Sequence, residues 1–301
     1  MYQKWLIGFA VLSLGIVALM EINYQVNHKN YYRHAEDYTV NKLLVQEVNQ
    51  KRKSVLMGDS VTHWAIEGVS LSDDVYDLTA TSSMTIVGQY MLLYRYLQQN
   101  EAPEDVYFFF IPEAMMEDTK NTYSVVESIF DKPDEIEVIK MLKNGGFSTG
   151  GSYFYDRIRI LKFWKQYLAH GSRQLSLKPI MKKLQDKQEE TLDIHQKVED
   201  IQMNPVSKHV IRELIKLAKT HNIKLHFILE PLKSDNYISY LNSDIADFLE
   251  KNSIPLTDFR KIFIFEDKAF YDGIHLSGVN ADTYVYLIDK NIVPILKNKV
   301  H

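Results

Sequence analysis

No cysteine occurs anywhere in the 301 residues, which excludes disulfides and thiolate-bound metal sites. The absence is compatible with an oxidising compartment. An excess of positive charge is missing too. Thirty-five Lys and Arg stand against 39 Asp and Glu, a net charge of −4, so there is no electrostatic case for nucleic acid as a partner. The histidines His63, His195, His209, His221 and His226 show no metal-ligand spacing with carboxylates. No metal and no other cofactor is expected. Internal repeats are absent as well.

What is present is ordinary for a globular chain: 46% hydrophobic and 25% charged residues. The length allows one large domain or two small ones. The N-terminus departs from this pattern. After Lys4, residues 5–20 carry no charge and are strongly apolar; Glu21 ends the run. Ile22 and Tyr24 extend it towards the roughly 20 residues a spanning helix needs, with Trp5 and Tyr24 at the two interfaces. The residues that follow are too bulky for a signal-peptide cleavage site. Residues 1–26 are therefore expected to form an uncleaved signal anchor. Lys4 precedes the span, while His28, Lys29 and Arg33 follow it, so charge does little to set the orientation. Short N-terminal tails of single-span proteins stay inside. This places the chain in the cell membrane as a single-pass protein with its globular body extracytoplasmic. Residues 27–50 read as a polar stalk and residues 51–301 as the domain.

Within the domain, strand-like and helix-like segments alternate. "SVLMGDS" reads as a buried strand ending at a glycine turn, and "DDVYDLTAT" as a second short strand. "TIVGQYMLLYRYLQQN" places Ile86, Val87, Tyr90, Leu93, Tyr94 and Leu97 at helical spacing. "DVYFFFIPE" and "KLHFILEP" are continuous apolar runs, too short for helices and rich in strand formers. "VSKHVIRELIKLAKTHNI" is an amphipathic helix with Val210, Leu214 and Leu217 on one stripe; "DIADFLEKNSI" and "VNADTYVYLIDKNIVPIL" supply two more. Alternation of this kind predicts parallel βαβ units in an α/β sandwich. No strong strand interrupts residues 120–206, which read as a helical insertion, partly a lid, with "NGGFSTGGS" as a hinge.

The chemistry concentrates at two places. In "KSVLMGDSVTHW" a serine, Ser60, stands where a buried strand ends and a helix begins. In "AFYDGIHLSGVNADTYV", Asp272 and His275 lie three apart just before the last helix. A neutral imidazole can take the proton from a serine hydroxyl, and a carboxylate fixes its tautomer and steadies the imidazolium that forms. Either fragment is common by chance; both together, each at a strand-to-helix edge of one alternating chain, are far more specific. Taken singly, Ser60 also suits a helix cap, and His275 a satisfied core histidine. His63 shares a helix face with Ser60 and either lines the pocket or is structural. Glu230 ends a strand at the edge where ligands bind, with an exposed loop carboxylate as its default reading. The aromatic "YFYDRIRILKFW" reads as core or lid packing rather than a sugar platform.

On these residues the chain resembles the SGNH (GDSL-type) hydrolase superfamily, from about residue 54 to the C-terminus, interrupted by the insertion. The resemblance implies a flavodoxin-like three-layer α/β/α sandwich with a mostly parallel sheet. It implies Ser60 as nucleophile, His275 as general base and Asp272 as the group that orients it, with the backbone N–H of Ser60 as an oxyanion donor. Two blocks depart from the family pattern. Where a glycine N–H usually joins the oxyanion hole, this chain has Ser82 and Ser83, whose backbone N–H groups still serve. Where an asparagine usually follows the third strand, Pro112 and Glu113 stand instead. An ionised Glu113 accepts hydrogen bonds and cannot replace that donor; losing one donor costs about a hundredfold or more in rate. The layout is similar to membrane-tethered members of cell-envelope acyl transfer, namely the D-alanyl-transfer protein of teichoic acid modification and the proteins of polysaccharide O-acetylation. The expected function is a membrane-anchored serine acyltransferase or esterase. Its partners would be an acyl donor and an envelope glycan or lipid acceptor, with a polytopic membrane acyltransferase as a protein partner. The alternatives are a non-catalytic partner of such an acyltransferase and a lipolytic esterase.

Overall fold

Five strands, β1 (Ser54–Met57), β2 (Val75–Asp77), β3 (Asp105–Phe110), β4 (Lys224–Leu229) and β5 (Leu256–Asp258), pair in the order β2-β1-β3-β4-β5. Every pair is parallel. The computed structural model describes residues 49–80, 85–116, 132–143, 203–233, 244–272 and 274–297, with residues 126 and 130 and a few positions between 13 and 22.

The central strands β1, β3 and β4 are mostly apolar because both sheet faces are covered there. Their side chains alternate between two cores, as a period of two requires. Val55 and Met57, Val106, Phe108 and Phe110, and Leu225, Phe227 and Leu229 point into one core. Leu56, Phe109 and Ile228 point into the other. The first core is covered by α2 (Thr85–Gln99), α4 (Pro133–Lys143), α5 (Pro205–Thr220) and α6 (Asp244–Lys251). The second is covered by α1 (Ser60–Ile66) and α7 (Gly278–Asn291). The short α3 (Pro112–Met116) follows β3. The α5 stripe is the one read from sequence: Val210 and Leu214 are fully buried, and Asn204 caps its start by accepting from the N–H of Val206 at 2.9 Å. The result is a three-layer sandwich with flavodoxin-like strand order. In such a sheet the chain steps from β1 to β2 on one side and then crosses back to β3 on the other, and a crevice opens at the carboxyl ends of β1 and β3, where the direction reverses.

Two features differ from the expectation. The strand β5 was not read in the sequence. It is three residues long and half-buried along its length, so it carries neither a continuous apolar run nor an alternation. The second concerns residues 120–206, expected to be an insertion apart from the core. Within that range, α4 packs as part of the core: Ile139 and Leu142 are buried in it, together with Phe130 and Val126. Arg95 of α2 grips Glu135 of α4 through two bonds of 2.5 Å, with both side chains almost wholly buried. The guanidinium also lies 4.6 Å above the Phe130 ring. Residues 144–202 lie outside the described residues, as do most of residues 1–48, where the anchor and stalk are expected. No helix among the described residues is long and apolar enough to cross a membrane.

A buried pair broken on one side leaves an uncompensated charge. Glu135→Ala is therefore expected to lower stability by about 3–5 kcal/mol in urea denaturation. Replacing residues 144–202 by a short linker is expected to leave the cooperative transition in place. A midpoint unchanged by Glu135→Ala would show that α4 does not belong to the folded core.

Candidate active site

The β1–α1 turn places the serine. Gly58 follows the last residue of β1, and a Cβ there would stand 3.0 Å from Phe109 Cβ and 3.1 Å from the Phe109 carbonyl oxygen. Only glycine lets the chain pass so close to β3. The carbonyl of Gly58 accepts from Ala80 N–H at 3.0 Å and from Gln89 Nε2 at 2.6 Å, which fixes the turn from two further elements. Asp59 then caps α1: its Oδ1 accepts from the N–H of Val61 at 2.9 Å and its Oδ2 from the N–H of Ile111 at 3.4 Å. Ser60 is thus the first residue of α1, not its cap. Its N–H belongs to the first turn, where no intrahelical acceptor exists.

The histidine arrives on a closed loop ahead of α7. Phe270 bridges to Leu276, and the N–H of Tyr271 donates to the carbonyl of His275 at 3.1 Å. This brings His275 Nε2 to 2.7 Å from Ser60 Oγ across 215 residues of sequence. On the other side of the ring, Nδ1 lies 2.7 Å from Asp272 Oδ2. Asp272 Oδ1 accepts from the N–H of His275 at 2.9 Å and of Ile274 at 3.3 Å. Burial pushes the Asp272 carboxyl up, but the His275 ring and these two N–H groups outweigh burial and hold it below the usual carboxylate range. Asp272 is therefore an anion at neutral pH. With it on Nδ1, the neutral imidazole keeps a lone pair on Nε2 that faces the serine hydroxyl. Ser60 and His275 are both buried, while Asp272 keeps about a quarter of its side chain exposed, 27%. Chemically the row can accept a proton from a hydroxyl and return it to a leaving group.

Several residues here were not singled out from the sequence. The Trp64 indole stacks on His275 with ring centres 4.2 Å apart, and Tyr271 lies near-parallel to the same ring at 5.6 Å. Both stand within the two quoted motifs, but nothing in their spacing marks them. Glu230 was read as an exposed loop carboxylate by default; it is completely buried. The hydroxyl of Thr62 donates to its Oε1, and the Tyr284 hydroxyl lies 3.5 Å from the same oxygen. The cause is the neighbouring crossover, because α1 and α7 both pack over the end of β4. His63 points away towards β2, with Nδ1 at 3.3 Å from the Thr79 hydroxyl. Ser82 and Ser83 lie outside the described residues, and so does the side chain of Glu113, whose backbone belongs to α3. Among the described residues no group of His, Asp and Glu is arranged to hold a metal ion.

No family model matches the chain, and no curated protein matches it. Solved structures with a similar course include a GDSL-like lipase from Bacteroides thetaiotaomicron, 14% identical, with a TM-score of 0.37, covering 87% of this chain and 97% of that one. An acetyl xylan esterase is 11% identical with a TM-score of 0.37, covering 80% of this chain and 100% of that one. Neither likeness decides a function.

The close approach at Gly58 has a direct test. Gly58→Ala forces Phe109 or the turn to move and is expected to lower stability by about 1–3 kcal/mol in urea denaturation. A fully neutral substitution would mean that the turn tolerates a Cβ and that Ser60 is placed by other contacts.

Proposed function

We propose that the chain is a serine-dependent acyl enzyme of the SGNH type, with Ser60 as nucleophile, His275 as general base and Asp272 as its orienting carboxylate. The observation that carries this reading is the unbroken row Ser60 Oγ, His275 and Asp272, each contact 2.7 Å. Ser60 Oγ attacks the carbonyl carbon of an acyl ester while its proton passes to His275 Nε2. Asp272 steadies the imidazolium. The carbonyl oxygen gains negative charge beside the start of α1, where the backbone N–H of Ser60 is the proposed donor. Collapse expels the alcohol with the proton from His275 and leaves an acyl group on Ser60. A second hydroxyl, deprotonated by His275, then takes the acyl group. If that hydroxyl belongs to a sugar, the reaction is transfer; if to water, it is hydrolysis.

The acceptor proposed is a glycopolymer of the cell envelope, and the acyl group comes from a donor on the same side of the membrane. Support comes from the N-terminal apolar run of residues 5–20, which would tether the domain at the membrane surface. The second reading is a non-catalytic partner of a polytopic acyltransferase. One observation favours it: Pro112 and Glu113 stand where a side-chain oxyanion donor is needed.

Ser60→Ala and His275→Ala are each expected to lower the rate of ester turnover by roughly 10³-fold or more, and by similar factors, because the members act as a unit. Asp272→Asn should cost no more than these. A fluorophosphonate probe should label the wild type and spare Ser60→Ala. A folded wild type that neither labels nor turns over any ester, in the presence of membranes that modify the polymer, would favour the partner reading. For topology, fractionation should recover the full-length mass in membranes, and a C-terminal reporter should be active only outside the cytoplasm. Recovery as a soluble cytoplasmic protein would exclude the tether.

A further inference from the structure

Directly behind the nucleophile lie two carboxyl groups that the acyl chemistry above does not use. Asp59 and Glu230 are 8% and 0% exposed. They come from the N-cap of α1 and the end of β4, and they face one another across the base of the turn that carries Ser60. Glu230 Oε1 accepts from the Thr62 hydroxyl. Its Oε2 is buried and meets no donor. A carboxylate oxygen left so would lack any compensation for its lost hydration. As a carboxylic acid, however, the group carries a proton to give, and the neighbouring Asp59 carboxylate is an acceptor for it.

We propose that Glu230 is a positioning residue for the nucleophile: it stays protonated and donates to ionised Asp59, so that the pair carries one proton and one negative charge behind Ser60. The assignment of the proton to Glu230 rather than Asp59 follows from their other bonds. Asp59 accepts from two backbone N–H groups, Val61 and Ile111, which favour its charged form. Glu230 has one backbone donor, Thr62, and otherwise the hydroxyls of Thr62 and Tyr284. Burial pushes Glu230 well above the usual carboxylate range, and the neighbouring Asp59 pushes it further. Asp59 is also raised by burial, but its N–H partners and the Glu230 hydrogen bond act in the opposite direction. The titratable groups facing the pair from the packed elements are Tyr284 of α7 and His275 of the preceding loop. Loss of the second proton would set two anions against each other beneath α1. Ser60, the first residue of α1, stands directly over that repulsion. The effect on catalysis rests on Ser60 being the nucleophile; the protonation of the pair does not.

The sign of the linkage gives a test without activity. A carboxyl whose folded pKa is raised binds more protons folded than unfolded. Its contribution is full below the unfolded pKa and is lost as pH rises towards the folded one. Glu230→Gln keeps a donor towards Asp59 and an acceptor for Thr62 but cannot ionise. Its melting temperature relative to wild type should therefore rise progressively as the pH climbs above the ordinary glutamate range. A purely structural Glu230 would give a constant difference, which would overturn the proposal. In wild type labelled with carboxyl-¹³C glutamate, one glutamate signal should remain protonated at neutral pH. This measurement needs no variant, and finding every glutamate ionised there would also overturn the proposal. Labelling of Ser60 by the fluorophosphonate should fall at alkaline pH in wild type and lose that fall in Glu230→Gln; an unchanged alkaline fall would overturn the positioning role. A protonated glutamate in a protein that never labels would leave the pair standing and remove the acyl-enzyme reading instead.

Discussion

Everything at the site hangs on the passage of β1 past β3 at Gly58. There the backbone of one strand end lies against Phe109 with no room for a Cβ. That contact does two things. It keeps β1 beside β3 as far as the last residue of β1, with Met57 opposite Phe108. It also turns the chain sharply enough that Asp59 and Ser60 enter a helix at once. A larger residue would move the start of α1, and with it the serine, the capped N–H groups and the carboxyl behind them. Ser60 and His275 are 215 residues apart, yet their 2.7 Å contact depends on two rigid approaches. One is this turn. The other is the closed loop of residues 270–276, whose ends are bridged.

The same side-chain type serves opposite ends of this arrangement. Asp272, about a quarter open to solvent and ringed by N–H groups and the imidazole, is held as an anion. Glu230, sealed under α1 and α7 beside a second carboxyl, is driven towards the neutral acid by burial and by Asp59, which outweigh its bonds to Thr62. Environment, not residue identity, separates the roles. In the proposed acyl-enzyme reading this separation would matter: an anion beyond His275 would support the imidazolium, and a second full charge behind Ser60 would oppose an oxyanion forming beside the same helix turn.

Much of this was legible in the sequence, and the limits have physical causes. The buried strands β1, β3 and β4 announce themselves because strands covered on both faces must be continuously apolar. The helices α2 and α5 are visible because their stripes are long enough to show a period. The three serine, aspartate and histidine positions were legible because their motifs sit at strand-to-helix edges. The edge strand β5 was not, since three half-buried residues carry no pattern. The burial of Glu230 was equally hidden: it depends on α7, which is contributed some fifty residues later in the chain and supplies Tyr284. The core role of α4 was obscured for a related reason. Glu135 looks like a surface residue until Arg95, forty residues earlier, is brought beside it. In each case the missing information is a long-range contact that no local window contains.

The departure at the end of β3 also acquires a physical sense. The Ile111 N–H, first beyond the strand, is already engaged by Asp59 at 3.4 Å, and Pro112 has no N–H to offer. This strand end therefore braces the turn that carries Ser60. The Trp64 ring, stacked at 4.2 Å, covers one side of the imidazole. Under the proposed acyl-enzyme reading, the backbone N–H of Ser60 at the start of α1 would carry more of the oxyanion's stabilisation, and a hydroxyl held against the acyl-serine, whether of a sugar or of water, would gain from being positioned.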